Sequence, residues 1–97
     1  MIKHIVCFKL KDNSKQSKEE AASVLYSMKD NVPTVKSIEV GTDILGSHRS
    51  YDVILQVVVE SMQKLEEYQK DTYHCEVVKT YMHAHIESSI AIDYEIN

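Results

Sequence analysis

From its second residue the chain alternates. Ile2, His4, Val6, Phe8 and Leu10 fall on one side, and Lys3, Ile5, Cys7 and Lys9 on the other. That two-residue period predicts a strand. The second side is half apolar through Ile5 and Cys7, so both faces of the sheet need cover. Past the polar turn "KDNSKQS" the period lengthens. Ala21, Val24, Leu25, Met28 and Val32 form one helical stripe. Ser17 and Glu20 have the spacing of a capping box and predict where that helix starts. Pro33 ends it, because the residue before a proline avoids helical backbone.

The second half repeats the scheme. "TVKSIEVGTDIL" reads as a strand with Lys36, Ile38 and Val40 on one face and Gly41 marking a bulge. "GSHRS" is a loop. "YDVILQVVVE" is the strongest strand: Tyr51, Val53, Leu55, Val57 and Val59 share a face, with Ile54 and Val58 on the other. Ser61 caps a helix whose Met62, Leu65 and Tyr68 turn inward, and Asp71 or Thr72 caps the chain again. "YHCEVVKTYMH" continues as helix with His74, Val78 and Tyr81 on one stripe. "HIESSIAIDYEI" closes as a strand with Ile86, Ile90, Ile92 and Tyr94 together. The order βαββαβ predicts an α+β, ferredoxin-like domain over residues 1–97. Right-handed crossovers make this a four-stranded antiparallel sheet with its helices on one face. The bare face, carrying Ile5, Cys7, Ile54 and Val58, would be a large apolar patch on a small protein. A second copy packed sheet to sheet covers it, so a homodimer is expected.

With 97 residues, one core is available and it is thin. The net charge of −4 offers no basic stripe to replace counterions on phosphates, which speaks against nucleic acid as partner. No apolar run approaches the roughly 20 residues that span a bilayer, and the N-terminus lacks the continuous apolar core of a secretion signal. Cys7 and Cys75 lie in apolar patterns and read as reduced thiols of a cytoplasmic protein. The only glycines are Gly41 and Gly46, so there is no glycine-rich phosphate loop. His83 and His85 form "HAH", but no third ligand is evident, and no metal or other cofactor is expected.

The segments "MIKHIVCFKLKD", "VKSIEVGTDI", "YDVILQVVVES" and "IDYEI" together resemble the stress-responsive A/B barrel (dimeric α/β barrel) family. The resemblance covers almost the whole chain, and its most specific parts are the opening Lys3-His4 and the closing Asp93-Tyr94. It implies the same ferredoxin-like monomer, with two sheets paired into a dimeric barrel. One plant member is a polyketide cyclase that closes a tetraketide acid by intramolecular aldol chemistry. The resemblance places that enzyme's tyrosine and histidine, six residues apart, at Tyr68 and His74, its first-strand histidine at His4, and a second-strand lysine at Lys36. The chain departs from it at Val53, where the cyclase has a pocket histidine. It departs again at Asp71 and Thr72, which stand in place of histidine and proline before Tyr73-His74, and near Ala21, Ala22 and Leu25, where the cyclase has large aromatics.

The candidate site is therefore a pocket between sheet and helices, walled by His4, Val6, Ile38, Val53, Leu55, Tyr68 and His74. His74 would take a proton, since imidazole titrates near neutrality. The Tyr68 phenol would hold a substrate oxygen as charge develops. Lys36 would reach the rim. The same residues can instead be packing: a histidine on an apolar strand face, a tyrosine at a helix start. Three functions stay open. One is a dimer binding a small aromatic or polyketide-like ligand, another a structural stress-response dimer, and the third a polyketide-cyclase-like lyase. An oxygenase of related architecture has no support, for the chain has no tryptophan and its histidines have no heme context.

Overall fold

The computed structural model describes residues 1–96. The elements run β1 (Ile2–Leu10), α1 (Lys15–Tyr26) tightening into a 3-10 turn (Ser27–Asp30), β2 (Ser37–Thr42), β3 (Val53–Val59), α2 (Met62–Lys70), a π-helical segment (His74–Lys79) that runs into α3 (Thr80–His85), and β4 (Ile86–Glu95). The sheet is antiparallel throughout, in the order β2-β3-β1-β4. This is the ferredoxin-like α+β arrangement that the alternation predicts.

The inner face is made by cross-strand pairs. Ile2 faces Val59, His4 faces Val57, Val6 faces Leu55 and Phe8 faces Val53. Leu25, Met28 and Val32 from the first helical stretch, and Leu65, Tyr68, Val78 and Met82 from the later helices, close over these pairs as one core. Among the described residues Asp52 is the one buried carboxylate. It accepts the Leu10 amide at 2.8 Å and so fixes the end of β1.

Local chemistry shifts several boundaries. The first helix starts at Lys15, because Ser14 is its cap and accepts the Ser17 amide at 3.2 Å. Ser17 cannot cap: its hydroxyl is committed to Asp12 at 2.9 Å, and Glu20 pairs with Gln16 rather than reaching back. Gly41 marks no bulge. It pairs in register with Ile54, whose Cγ2 lies 3.3 Å from where a glycine Cβ would stand, so the glycine makes room for that side chain. The register shift falls in β4 instead, where Lys9 pairs with Ser88 but Leu10 pairs with Ile86. Glu87 is the extra residue. It turns Ile86 inward, away from Ile90, Ile92 and Tyr94, which stay together on the outer face.

The buried stripe of the last helical stretch is His74, Val78 and Met82, with Tyr81 only partly buried. A π-helical turn takes more residues than an α turn, so the third inward position moves on by one. The outer face of the sheet carries Ile5, Cys7, Ile54 and Val58, and β4 adds Ile90, Ile92 and Tyr94, which are 52%, 63% and 43% exposed. No helix among the described residues is long and apolar enough to cross a membrane.

Candidate functional site

The inner face changes character at β4. Opposite His4, Val6 and Phe8 of β1 stand Asp93, Ala91 and Ser89, which are small or polar and exposed. The helices therefore do not seal this side, and a cavity of about 260 Å³ opens between the sheet and the helical layer. Its floor is His4, Val6, Phe8, Leu55, Ser89 and Ala91. Its roof is Leu25, Tyr68, His74, Val78 and Met82, and Gln69, Lys79, His83 and Ile86 complete the lining.

Two imidazoles meet here. His4 is buried, and its Nδ1–H donates to the Asp93 carboxylate across the β1–β4 ladder. His74 is also buried, and its Nδ1–H donates to the Tyr68 carbonyl at 2.9 Å. The Asp71 carboxylate accepts the His74 amide at 3.1 Å and so caps the helix from which His74 projects. With Nδ1 engaged in each case, the atom left to accept a proton on either ring is Nε2. Tyr68 lies between them, edge-on to His4 with centroids 5.5 Å apart and stacked on His74 at 4.4 Å. The three rings form one contiguous cluster.

Electrostatics separates their roles. Burial holds His74 below the usual imidazole range, against the bond to Tyr68; the nearby Lys79 charge pushes the same way as burial, and the Asp71 carboxylate opposes it. His74 is thus uncharged at neutral pH. The Tyr68 phenol is pushed up by burial, then by Asp71 and Asp93, and stays protonated. Its hydroxyl donates to Met28 Sδ at 3.6 Å within the core, which leaves it no free donor for a substrate oxygen in this arrangement.

The depressed His74 has a consequence for stability. Between its folded value and the ordinary 6.5, the unfolded chain binds a proton that the folded chain refuses. Its contribution is complete above about pH 6.5 and drains away as the pH falls. Urea midpoints should drop more for wild type than for His74→Gln between about pH 7 and about pH 5. Equal drops would mean that the imidazole is not held neutral by the fold.

Of the residues predicted to form the site, His4, Leu55, Tyr68 and His74 come together with Val6 at the cavity. Val53 and Ile38 do not line it. Val53 lies further along the ladder, paired with Phe8 and 2% exposed, where the first helix seals the core. Lys36 is far from it as well. It precedes β2, at the opposite edge of the sheet from β4, and its ammonium pairs with Glu60 at 2.9 Å in the open. His83 and His85 sit on α3 two residues apart, which on a helix points them to different sides. His83 reaches the cavity mouth while His85 stacks on Tyr81. Among the described residues no group of three or more His, Cys, Asp or Glu could hold a metal. Residue type alone does not mark Asp93, Lys79 and Ser89 as site residues. The available signal for Asp93 and Ser89 was their odd-numbered phase on β4, opposite the even-numbered inner face of β1.

Comparison with known proteins agrees with this architecture. A crystal structure of an Arabidopsis thaliana protein superposes with a TM-score of 0.84 at 24% identity, covering 100% of this chain and 96% of that one. A dimeric protein of unknown function and ferredoxin-like fold from Bacteroides fragilis superposes at 0.81 with 21% identity, over 98% of this chain and 95% of that one. The hydroxynitrile lyase of Passiflora edulis does so at 0.77 with 20% identity, over 99% and 93%. No functionally curated protein matches the chain in sequence. The stress-responsive A/B barrel domain model spans residues 2–96, and the chain belongs to that family.

Proposed function

We propose that this protein is a sheet-to-sheet homodimer that binds a small molecule in the cavity beneath β4 and moves a proton on it. The observation that carries this reading is the convergence of two buried imidazoles from different elements, each with Nδ1 committed and Nε2 left to accept, on one apolar cavity. His4 is the base. Its proton-accepting Nε2 is oriented by the Asp93 carboxylate, which also stabilises the imidazolium that forms. His74, kept neutral by burial, accepts a hydrogen bond from a substrate hydroxyl or passes the proton on. Tyr68 acts through its ring, as the platform that spaces the two imidazoles. The chemistry is proton removal from an acidic C–H or O–H of a small ligand. A polyketide-cyclase-like or other lyase reaction fits that class, and one structural neighbour is a hydroxynitrile lyase.

The dimer half of the proposal rests on the outer apolar face and on neighbours described as dimeric. A purely structural dimer is the competing reading, favoured by the same exposed face. Thermal-shift and NMR screening with small aromatic and polyketide-like acids separates the two. We expect ligands that perturb His4 and His74 together. His4→Ala should lower turnover of a processed ligand by about 10²–10⁴-fold, the range for loss of a positioned base. Tyr68→Phe should change it less than about threefold, because the hydroxyl points into the core and a preorganised donor would be worth roughly a hundredfold. A screen without any perturbation of either histidine would leave the structural dimer as the function. A hundredfold loss in Tyr68→Phe would return the phenol to the reaction.

A further inference from the structure

We infer that the cavity takes a small organic anion, with the negative group held at the mouth by Lys79 and the apolar body lying on Val6, Leu55 and Val78. This rests on the cavity being a ligand site and names the chemical class that it selects.

Lys79 closes the π-helical segment and lies half-buried at the rim of the cavity. Its ammonium makes one long hydrogen bond, donating to the Gln69 carbonyl at 3.4 Å. An ammonium has three N–H donors, so the others are free to bind. Among the described residues it forms no ion pair, and of the lysines without one it alone lines this cavity. A partly desolvated cation beside an apolar wall, with no protein carboxylate to answer it, gains most from a ligand that brings the counter-charge. The helical geometry delivers this cation to the site: His74, Val78, Lys79, Met82 and His83 all line the cavity from one continuous helical stretch. His83, one turn beyond Lys79, adds a second donor at the mouth.

The rest of the cavity restricts the anion. Its lining is mostly apolar, and its volume of about 260 Å³ lies under the roughly 300–1,000 Å³ that holds drug-sized ligands. That suits an aryl or short alkyl monocarboxylate. It leaves no room for a nucleotide-bearing thioester. The charge of Lys79 already bears on the site, since it works with burial against protonation of His74. An anion seated at Lys79 cancels that influence and makes His74 more basic when the ligand is present.

Isothermal titration with matched neutral and anionic probes tests this: cinnamate against cinnamide, and hydrocinnamate against its primary amide. Wild-type protein should bind each acid about ten- to a hundredfold more tightly than its amide, the range for a hydrogen bond to a charged group. Lys79→Met should abolish the preference for the acid over its amide, and Lys79→Arg should keep it. Ligand-induced NMR shifts at His4 and His74 locate the binding. Equal affinity for acid and amide, or a preference that survives Lys79→Met, overturns the anion assignment. If the two histidines still respond to the amide, the pocket itself stands. Failure of every probe to bind wild type overturns both readings together.

Discussion

Ile54→Asp is expected to turn the protein from a dimer into a monomer at micromolar concentration. Ile54 lies mid-strand on the outer face of β3, level with Cys7 of β1 and Gly41 of β2, and leans over the glycine. Ile5, Cys7 and Val58 surround it on that face, and Ile90 and Ile92 extend the apolar surface to the free edge. Under the sheet-to-sheet proposal, an interface over these strands is expected in the size range of stable assemblies, above about 1,200 Å². A carboxylate forced into such a contact finds no partner, and an unpaired buried charge costs several kcal/mol. At that cost a nanomolar dimer dissociates in the micromolar range or above. Sedimentation equilibrium reads the outcome directly. Wild type sedimenting as a monomer, or Ile54→Asp as an unaltered dimer, would move the interface away from this face.

Leu25→Ala should cost about 2–5 kcal/mol of stability, at the upper end of single substitutions in the protein. Leu25 is 1% exposed, and it is both core residue and cavity wall. Removing its side chain merges the new void with the existing cavity, so neighbours have no reason to collapse inward. In a domain of this size each kcal/mol is worth roughly 4–8 °C in Tm. Calorimetry at fixed protein concentration is the appropriate measurement, because Tm depends on concentration for any chain that self-associates. A fall of only a few degrees would show that the roof of the cavity is already yielding.

The fold was legible because it is written in periods. The two-residue alternation of β1 and β3 and the stripe on the first helix need no tertiary information, and they give the topology directly. The failures lie where period is interrupted. Nothing about Glu87 distinguishes a bulge residue from an ordinary outward-facing glutamate, so the inward turn of Ile86 was hidden. Nothing in "HCEVVK" announces a π-helical turn, so helical periodicity points to Tyr81 where Met82 is the buried residue. The site was legible in part for a related reason. His4, Tyr68 and His74 stand out by residue type and phase. Asp93 matters only through pairing with a strand 89 residues away, and the direction of the Tyr68 hydroxyl is decided by a methionine sulfur that sequence cannot place.

β4 divides its residues between two tasks. Its inward positions, Ser89, Ala91 and Asp93, border the cavity and the His4 pair, while Ile90, Ile92 and Tyr94 look the other way. Because neighbouring side chains on a strand never share a face, the two sets answer to separate demands. Enlarging Ala91 or changing the polarity of Ser89 reshapes the cavity without touching the outer apolar face or the sealed core. Under the proposed function, a change of ligand preference needs substitution at these positions alone. If the proposed dimer were kept while the proposed ligand changed, variation would concentrate in alternate residues of this single edge strand.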